Sequence, residues 1–498
     1  MTSILGGIDY VALAPILVAG VGALAVLVVD LAAPLRIRTT ATLGTALAAA
    51  FGALAASVAL VGDRRETVCT APTLVLNVVE AGRSCSYVVD GLTVRLMIVL
   101  TAAAFGTLLL SPAYVREHEL PPGEYGLLVL ASLTGALTLV GARDLITLII
   151  GLETLTLPTY ALVALRRRDR SSGEAAVKYL LVSVSATAVT LLGVAGIYGL
   201  TGAVHLDRIA AVLAAREDVR TVPLGAVAAV LVLGGLAFKL AAVPFHGWAP
   251  DVYQGAPVPV AAYLATVSKA GGVGGLLLVT TVAFPAYREV WSPVLAALAV
   301  ASMTWGNLVA LRQTDAVRLL AWSSVAHAGY LLVPLGAVAA DPDLVPGAVA
   351  ATVGYLALYV AVNLGAFACV TASGGTALAD LRGLARRSPF LAGALALFLL
   401  GLAGLPPALA GLVAKVVVLR SALLGGVGWL AVAVAVNTVL GLAYYLRVAA
   451  LPFRAADGDP RAVPVRRLAP SLAVTVGAAA AVTVVLSVVP QLVLALGP

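Results

Sequence analysis

Long apolar runs follow one another along the chain, with only short polar breaks between them. They cover residues 10–31, 40–61, 88–111, 124–142, 145–165, 176–200, 222–246, 258–282, 292–311, 317–338, 346–372, 389–423, 427–447 and 469–495. Each is near or above the about 20 residues a helix needs to cross a hydrocarbon layer of roughly 30 Å. Transmembrane strands would alternate polar and apolar positions over about ten residues, whereas these runs are uniformly rich in Ala, Leu and Val. The pattern predicts an all-α integral membrane protein with fourteen spans, numbered below in chain order.

Composition strengthens this reading: 61% of residues are hydrophobic and 11% charged, with mean hydropathy +1.05. No soluble domain fits between the runs. The first run has no basic stretch before it and no clear cleavage site, so it reads as a retained span. Charge adds orientation, because basic loops stay on the cytoplasmic side. Arg36, Arg38, Arg116, the "RRRDR" of 166–170, Arg312, Arg318, the "RGLARR" of 382–387 and the run from Arg447 to Arg467 all fall in alternate loops. The opposite loops offset their arginines with acids such as Asp63, Glu66, Asp207 and Asp218. Both termini are therefore expected outside, on a bacterial plasma membrane. The net charge of +7 is a retention signal, and the interleaved basic and aromatic surface of a nucleic-acid binder is missing.

The ionisable residues inside the runs change the picture most. The chain has four lysines, Lys178, Lys239, Lys269 and Lys415, and all lie in predicted spans. Arginine stays protonated in proteins, while a buried lysine gives up its proton readily. Such residues are costly in a membrane and are functional candidates by default. Glu153, in "LIIGLETLTLPTY", is the one mid-span carboxylate, and His327, in "WSSVAHAGYLL", lies mid-span 10. Lys178 also suits interfacial snorkelling beside Glu174. His327 equally suits a core histidine bonded to Ser323 or Ser324, and His246 either a connecting or an interfacial role. Ser183, Thr187 and Thr190 share a face of span 6, and Thr266 precedes Lys269 by one turn. These hydroxyls could bond their own helix or carry a hydrated proton file beside the lysines.

Two spans are broken. Pro244 interrupts span 7 near Lys239, and Pro406 and Pro407 interrupt span 12 ahead of Lys415. Unwound backbone at membrane depth needs protein or a water-filled cavity around it. The breaks lie five spans apart, an offset that reverses direction, as inverted repeats with interrupted helices require. The expected organisation is a three-span segment over 1–120, halves over 121–285 (spans 4–8) and 286–450 (spans 9–13), and a basic loop with span 14 over 451–498.

Several chemistries are excluded. Three cysteines cannot hold an iron–sulfur cluster, which takes about four thiolates. Cys69 and Cys85 share an outer loop, where a disulfide and two separate thiols both fit. Gly20 begins a "GVGALA" with no preceding strand, so it is no dinucleotide site. No carboxylate pair or histidine cluster suits a metal.

The stretches "GLETLTLPTYALVAL", "AAVKYLLVSVSATAVTLLGVAGIYGLTG", "FKLAAVPFHGWAPDVYQGAPVPVAAYLATVSKAGG" and "NLVALRQTDAVRLLAWSSVAHAGYLL" strongly resemble the subunit N family of bacterial respiratory complex I, the proton-pumping NADH:quinone oxidoreductase. The likeness runs from about residue 120 to 450, and it extends to membrane subunits of multisubunit cation/proton antiporters. It implies that Glu153 is the span 5 glutamate, Lys239 its partner and proton carrier, Lys269 the central relay, and Lys415 the lysine nearer the exit. Lys178 and His327 match accessory positions. A lysine in span 12 argues against sister subunit M, and the length leaves no room for the lateral helix of subunit L. Gly247 after His246, and the aliphatic neighbours of Lys415, depart from the family pattern. The resemblance implies neighbours of the subunit M, J and K kinds, and NADH, FMN, iron–sulfur clusters and a quinone bound by other subunits. Two alternatives remain at this stage: an antiporter subunit, and a structural membrane subunit without its own proton path.

Overall fold

The computed structural model describes residues 7–70, 74–75, 79–80, 83–167, 169–455, 468–489 and 491. The basic stretch 456–467, Arg168 and most of 490–498 lie outside the described residues. Among the described residues, twelve helices are long and apolar enough to cross a membrane. Span 10, Ala316–Leu332, falls just short of that length, and span 12 is divided into Pro389–Ala403 and Leu409–Leu424. Together these account for the fourteen expected spans.

The sequence starts several spans with an aspartate, whose carboxylate satisfies backbone N–H groups that a helix N-terminus leaves unpaired. Asp90 accepts from Thr93 N, Asp144 from Thr147 N, Asp169 from Ser171 N and Asp315 from Arg318 N, at 2.7–2.9 Å. Some bounds differ from the hydropathy pattern. Span 6 begins at Arg170 and span 3 runs on to Glu117, because polar residues at the interface continue a helix that hydropathy alone ends early.

Spans 8 and 11 form the centre: every residue of the span 8 core is buried, and 89% of the span 11 core. Spans 1, 2 and 6 are peripheral and turn apolar side chains such as Val21, Leu24, Leu181 and Leu192 outward. Span 8 is helical over Val258–Ala283 but widens into π-helical turns at Leu264–Ser268 and Val279–Ala283. The first of these turns ends immediately before Lys269. Wide turns of this kind recur at functional sites.

The two halves repeat a backbone device. Leu145 N donates to Val204 O and Leu206 N to Arg143 O, while Ala316 N donates to Thr376 O and Leu378 N to Thr314 O. Both pairings form isolated β-bridges, Asp144 with His205 and Asp315 with Ala377. Spans 6 and 11 both end on a left-handed glycine, Gly202 and Gly374. Span 7 stops at Leu240, before left-handed Ala241 and a cis bond to Pro244, and resumes as the short helix Trp248–Gly255. Span 12 stops at Ala403, before left-handed Gly404 and a cis bond to Pro407. In each break the left-handed residue stands three positions ahead of the proline.

The loop between spans 2 and 3 holds a β-hairpin that hydropathy did not announce. Strands Arg65–Thr70 and Ser84–Val89 run antiparallel with Cys69 opposite Cys85, and the two sulfurs are bonded. Arg143 N donates to Ser86 O, and Arg208 Nε to Ser84 Oγ, which ties the hairpin to the span 4–5 loop and to the helix Leu206–Ala215.

Candidate functional site: a buried polar axis

Spans 5, 6, 7, 8, 10 and 11, both parts of span 12, and span 13 bring the intramembrane polar residues into one band. At one end Glu153 is half-buried and accepts a hydrogen bond from Thr187 at 2.6 Å. Lys239 is buried on span 7, where its ammonium donates to Thr156 Oγ1 at 2.7 Å and to Tyr179 OH at 3.2 Å. Among the described residues no ion pair joins Glu153 and Lys239; the ammonium bonds these two hydroxyls instead. Thr156 and Tyr179, rather than the glutamate that the resemblance makes its partner, accept from the Lys239 ammonium.

Lys269 sits where the halves meet. Its ammonium donates to the carbonyl of Leu240 at 2.6 Å and to that of Ser324 at 2.9 Å. Leu240 is the last residue before the span 7 break, so its carbonyl has no intrahelical partner and carries the negative end of the helix dipole. Lys415 repeats this arrangement: it donates to the carbonyl of Ala403, the last residue before the span 12 break, at 2.8 Å. The two breaks thus supply acceptors for two ammonium groups. Gly272 lets span 8 approach here, since a Cβ on it would lie 3.1 Å from Lys239 Cβ.

Between Lys269 and Lys415 the axis is made of rings and hydroxyls. His327 Nδ1 meets Tyr355 OH at 2.8 Å and Nε2 meets Tyr445 OH at 3.0 Å. Tyr445 in turn meets Ser323 Oγ at 2.5 Å. Tyr359 donates to Ser324 Oγ at 2.8 Å and accepts from Asn363 at 2.6 Å. Lys415 lies over the Tyr330 ring, 5.1 Å from its centroid. A cavity of about 10 Å³, lined in part by His327, Tyr355, Tyr359 and Lys415, has room for about one water molecule.

Other residues singled out by sequence have different surroundings. Ser183 is buried beside Tyr160. Thr190 and Thr266 return their hydroxyls to Ala186 and Ala262 of their own helices, the local bond that Ser and Thr commonly make. Neither adds a link between lysines. His327 bonds tyrosines directly and reaches Ser323 only through Tyr445. Lys178 has a side chain 47% exposed and pairs with Glu174 at 2.7 Å and Asp251 at 3.0 Å. His246 lies half-buried in the span 7 break, its ring centroid 5.5 Å from that of Trp322.

Sequence reasoning missed the tyrosines. Tyr355 and Tyr359, one turn apart in span 11, carried the available signal: two hydroxyls on one face of an otherwise aliphatic run. Asp251 was also passed over, although it is the one acid in "GWAPDVYQG". Among the described residues no group of three His, Cys, Asp or Glu lies together as metal ligands would. The axis holds ammonium groups, hydroxyls and one carboxylate, a set suited to passing protons.

The profile of the family described as "NADH:quinone oxidoreductase/Mrp antiporter, TM" matches residues 142–441. NADH-quinone oxidoreductase subunit N of Salinispora tropica is 51% identical over 457 residues, covering 89% of this chain and 85% of that protein. Subunit N 2 of Streptomyces griseus is 46% identical, covering 99% and 94%. A chain of respiratory complex I from Thermus thermophilus, solved with bound aureothin, superposes with TM-score 0.79 at 31% identity, covering 97% of this chain and all of that one. A chain of the Mrp complex from a Dietzia species superposes with TM-score 0.82 at 24% identity and covers 98% and 96%, a likeness of fold alone.

Proposed function

The chain belongs to the NADH:quinone oxidoreductase/Mrp antiporter transmembrane family, and on that premise we propose that it is a subunit-N-type membrane subunit that moves protons across a bacterial inner membrane. The reaction class is translocation, driven by redox chemistry in other subunits of an NADH-quinone oxidoreductase. NADH, FMN, iron–sulfur clusters and quinone are bound by those subunits, and the neighbours in the membrane are of the subunit M, J and K kinds. Both termini face outward. Residues 121–285 and 286–450 act as two halves of one path.

The observation that carries the reading is Lys269, whose ammonium is held at once by a carbonyl of each half. Charge near Lys239 decides whether its ammonium is favoured, because Coulomb interactions are strong where water is scarce. Glu153, held by Thr187, is the movable source of that charge. When events in neighbouring subunits draw Glu153 away, Lys239 gives up its proton toward Lys269. The proton passes along Ser324, Tyr359 and His327 to Lys415, and leaves on the outer side. Thr156 and Tyr179 orient the Lys239 ammonium while it is charged.

The test is proton pumping and NADH-driven turnover in the purified, reconstituted complex carrying Lys239→Ala or Glu153→Ala. Pumping is expected to collapse in both. Pumping and turnover equal to the unmodified complex would contradict the reading. Co-purification of flavin and iron–sulfur subunits, rather than small antiporter subunits, checks the assembly it works in.

A further inference from the structure

The short helix Trp248–Gly255 follows the break in span 7, has only eight residues, and is marginal by itself because so short a helix barely repays its nucleation. Its position is set from outside. The Asp251 carboxylate takes Lys178 of span 6 through Oδ2 at 3.0 Å and Arg318 of span 10 through Oδ1 at 2.8 Å. Arg318 also donates to Gln254 Oε1 at 2.9 Å, and Arg166 donates to the Gly255 carbonyl at 2.6 Å, where a cation suits the negative end of the helix. Asp251 therefore joins a cation from each half to one short helix.

The other end of this helix reaches the proton path. Trp248, one turn before Asp251, donates its indole N–H to Phe238 O at 3.1 Å. Its ring stacks on Tyr179 with centroids 4.7 Å apart and planes 22° apart. Tyr179 OH accepts from the Lys239 ammonium. The matching piece of span 12 lacks this device: the position seven residues after the cis-proline is Asp251 in one break and Ala414 in the other.

We infer that Asp251 is a positioning residue for proton transfer: held between Lys178 and Arg318, it fixes the Trp248–Gly255 helix so that Trp248 presses Tyr179 against the Lys239 ammonium. This rests on the translocation reading above, and it gives Lys178 a role distinct from carrying protons. Exposed ion pairs are individually weak, so the effect is a shift in the population of the intake geometry rather than its loss.

The experiment uses the whole reconstituted complex and reads protons pumped per electron, with NADH oxidation by a soluble acceptor as the check on assembly. Asp251→Asn is expected to lower that ratio about threefold, and Asp251→Glu to restore most of it. Lys178→Met is expected to cost less in the Asp251→Asn background than alone. Where Asp251→Asn fails to assemble, Lys178→Met and Arg318→Met carry the test, each with a partial fall expected. A wild-type ratio in these variants, no rescue by glutamate, or equal cost of Lys178→Met in both backgrounds overturns the inference, provided Lys239→Ala has lost pumping. Normal pumping by Lys239→Ala removes the translocation reading first, and this inference with it.

Discussion

The two halves share a backbone and differ in what they hang on it. Aligned on their capping aspartates, Asp144 and Asp315, Glu153 falls on Ser324 and Thr156 on His327. Aligned on their terminal glycines, Gly202 and Gly374, Thr187 falls on Tyr359 and Ser183 on Tyr355. The hydrogen bond from Thr187 to Glu153 thus has its counterpart in the bond from Tyr359 to Ser324. In both halves the carbonyl that precedes the break holds an ammonium. The backbone repeat therefore supplies acceptors at fixed places, and side chains decide what each half does with them. The first half keeps the Glu153 carboxylate, and its Asp251 and Lys178 form an ionic clamp with Arg318 of the second, which the proposal reads as a charge-operated switch. The second replaces them with a histidine among tyrosines, which the proposed function uses as a relay.

The largest effect that can break this comparison is in the relay. Lys415→Ala leaves the Ala403 carbonyl without its ammonium and is expected to lower pumping by about a hundredfold, as loss of a proton-transfer group commonly does. Retained pumping in vesicles would show that the second half does not conduct. Next come the left-handed residues, where the halves should respond with opposite sign. Gly404 has φ +83° and a Cβ there would meet Lys415 Cδ at 3.2 Å. Gly404→Ala is expected to destabilise by about 1–2 kcal/mol. Ala241, at φ 58°, already bears that strain, so Ala241→Gly is expected to be neutral or stabilising by up to about 1 kcal/mol. Thermal unfolding of the purified complex reads both.

Smaller still is Tyr355→Phe, which removes one of two hydroxyls on His327 and costs about 1 kcal/mol of hydrogen bonding. It should slow pumping without altering assembly. The smallest effect lies outside both halves. Asp9 pairs with Arg65 at 3.1 Å; the backbone N–H of Ala12 most of all, then Arg65, holds its carboxyl below 3.8 despite the opposing pull of burial. Its stabilisation is present above the ordinary carboxylate range and fades as pH falls through the lowered value. Asp9→Asn should therefore cost a few tenths of a kcal/mol at neutral pH, less in strong acid, and leave pumping unchanged.

The fold was largely legible because crossing a membrane imposes long apolar runs, and four lysines among them cannot be hidden. The breaks were legible through Pro244, Pro406 and Pro407. The acceptors of Lys269 and Lys415 were not, because the carbonyls of Leu240, Ser324 and Ala403 have no letter of their own. Tyr179, Tyr355 and Tyr445 were missed because a tyrosine in an apolar run reads as core until its hydroxyl finds a partner. The resemblance makes Glu153 and Lys239 partners, but side-chain direction gives the Lys239 ammonium Thr156 and Tyr179 as its hydrogen-bond acceptors. The hairpin between spans 2 and 3 went unseen because its strands are short and mixed in polarity, and pairing depends on residues distant in sequence.

The most direct test of a single path through both halves is the number of protons pumped per electron in reconstituted complex carrying Lys269→Met, which keeps the volume and removes the ammonium. The account predicts that NADH-driven electron flow pumps almost no protons through this subunit, so that the ratio falls to that of Lys239→Ala and Lys415→Ala, singly or combined. A ratio equal to that of the unmodified complex would contradict it.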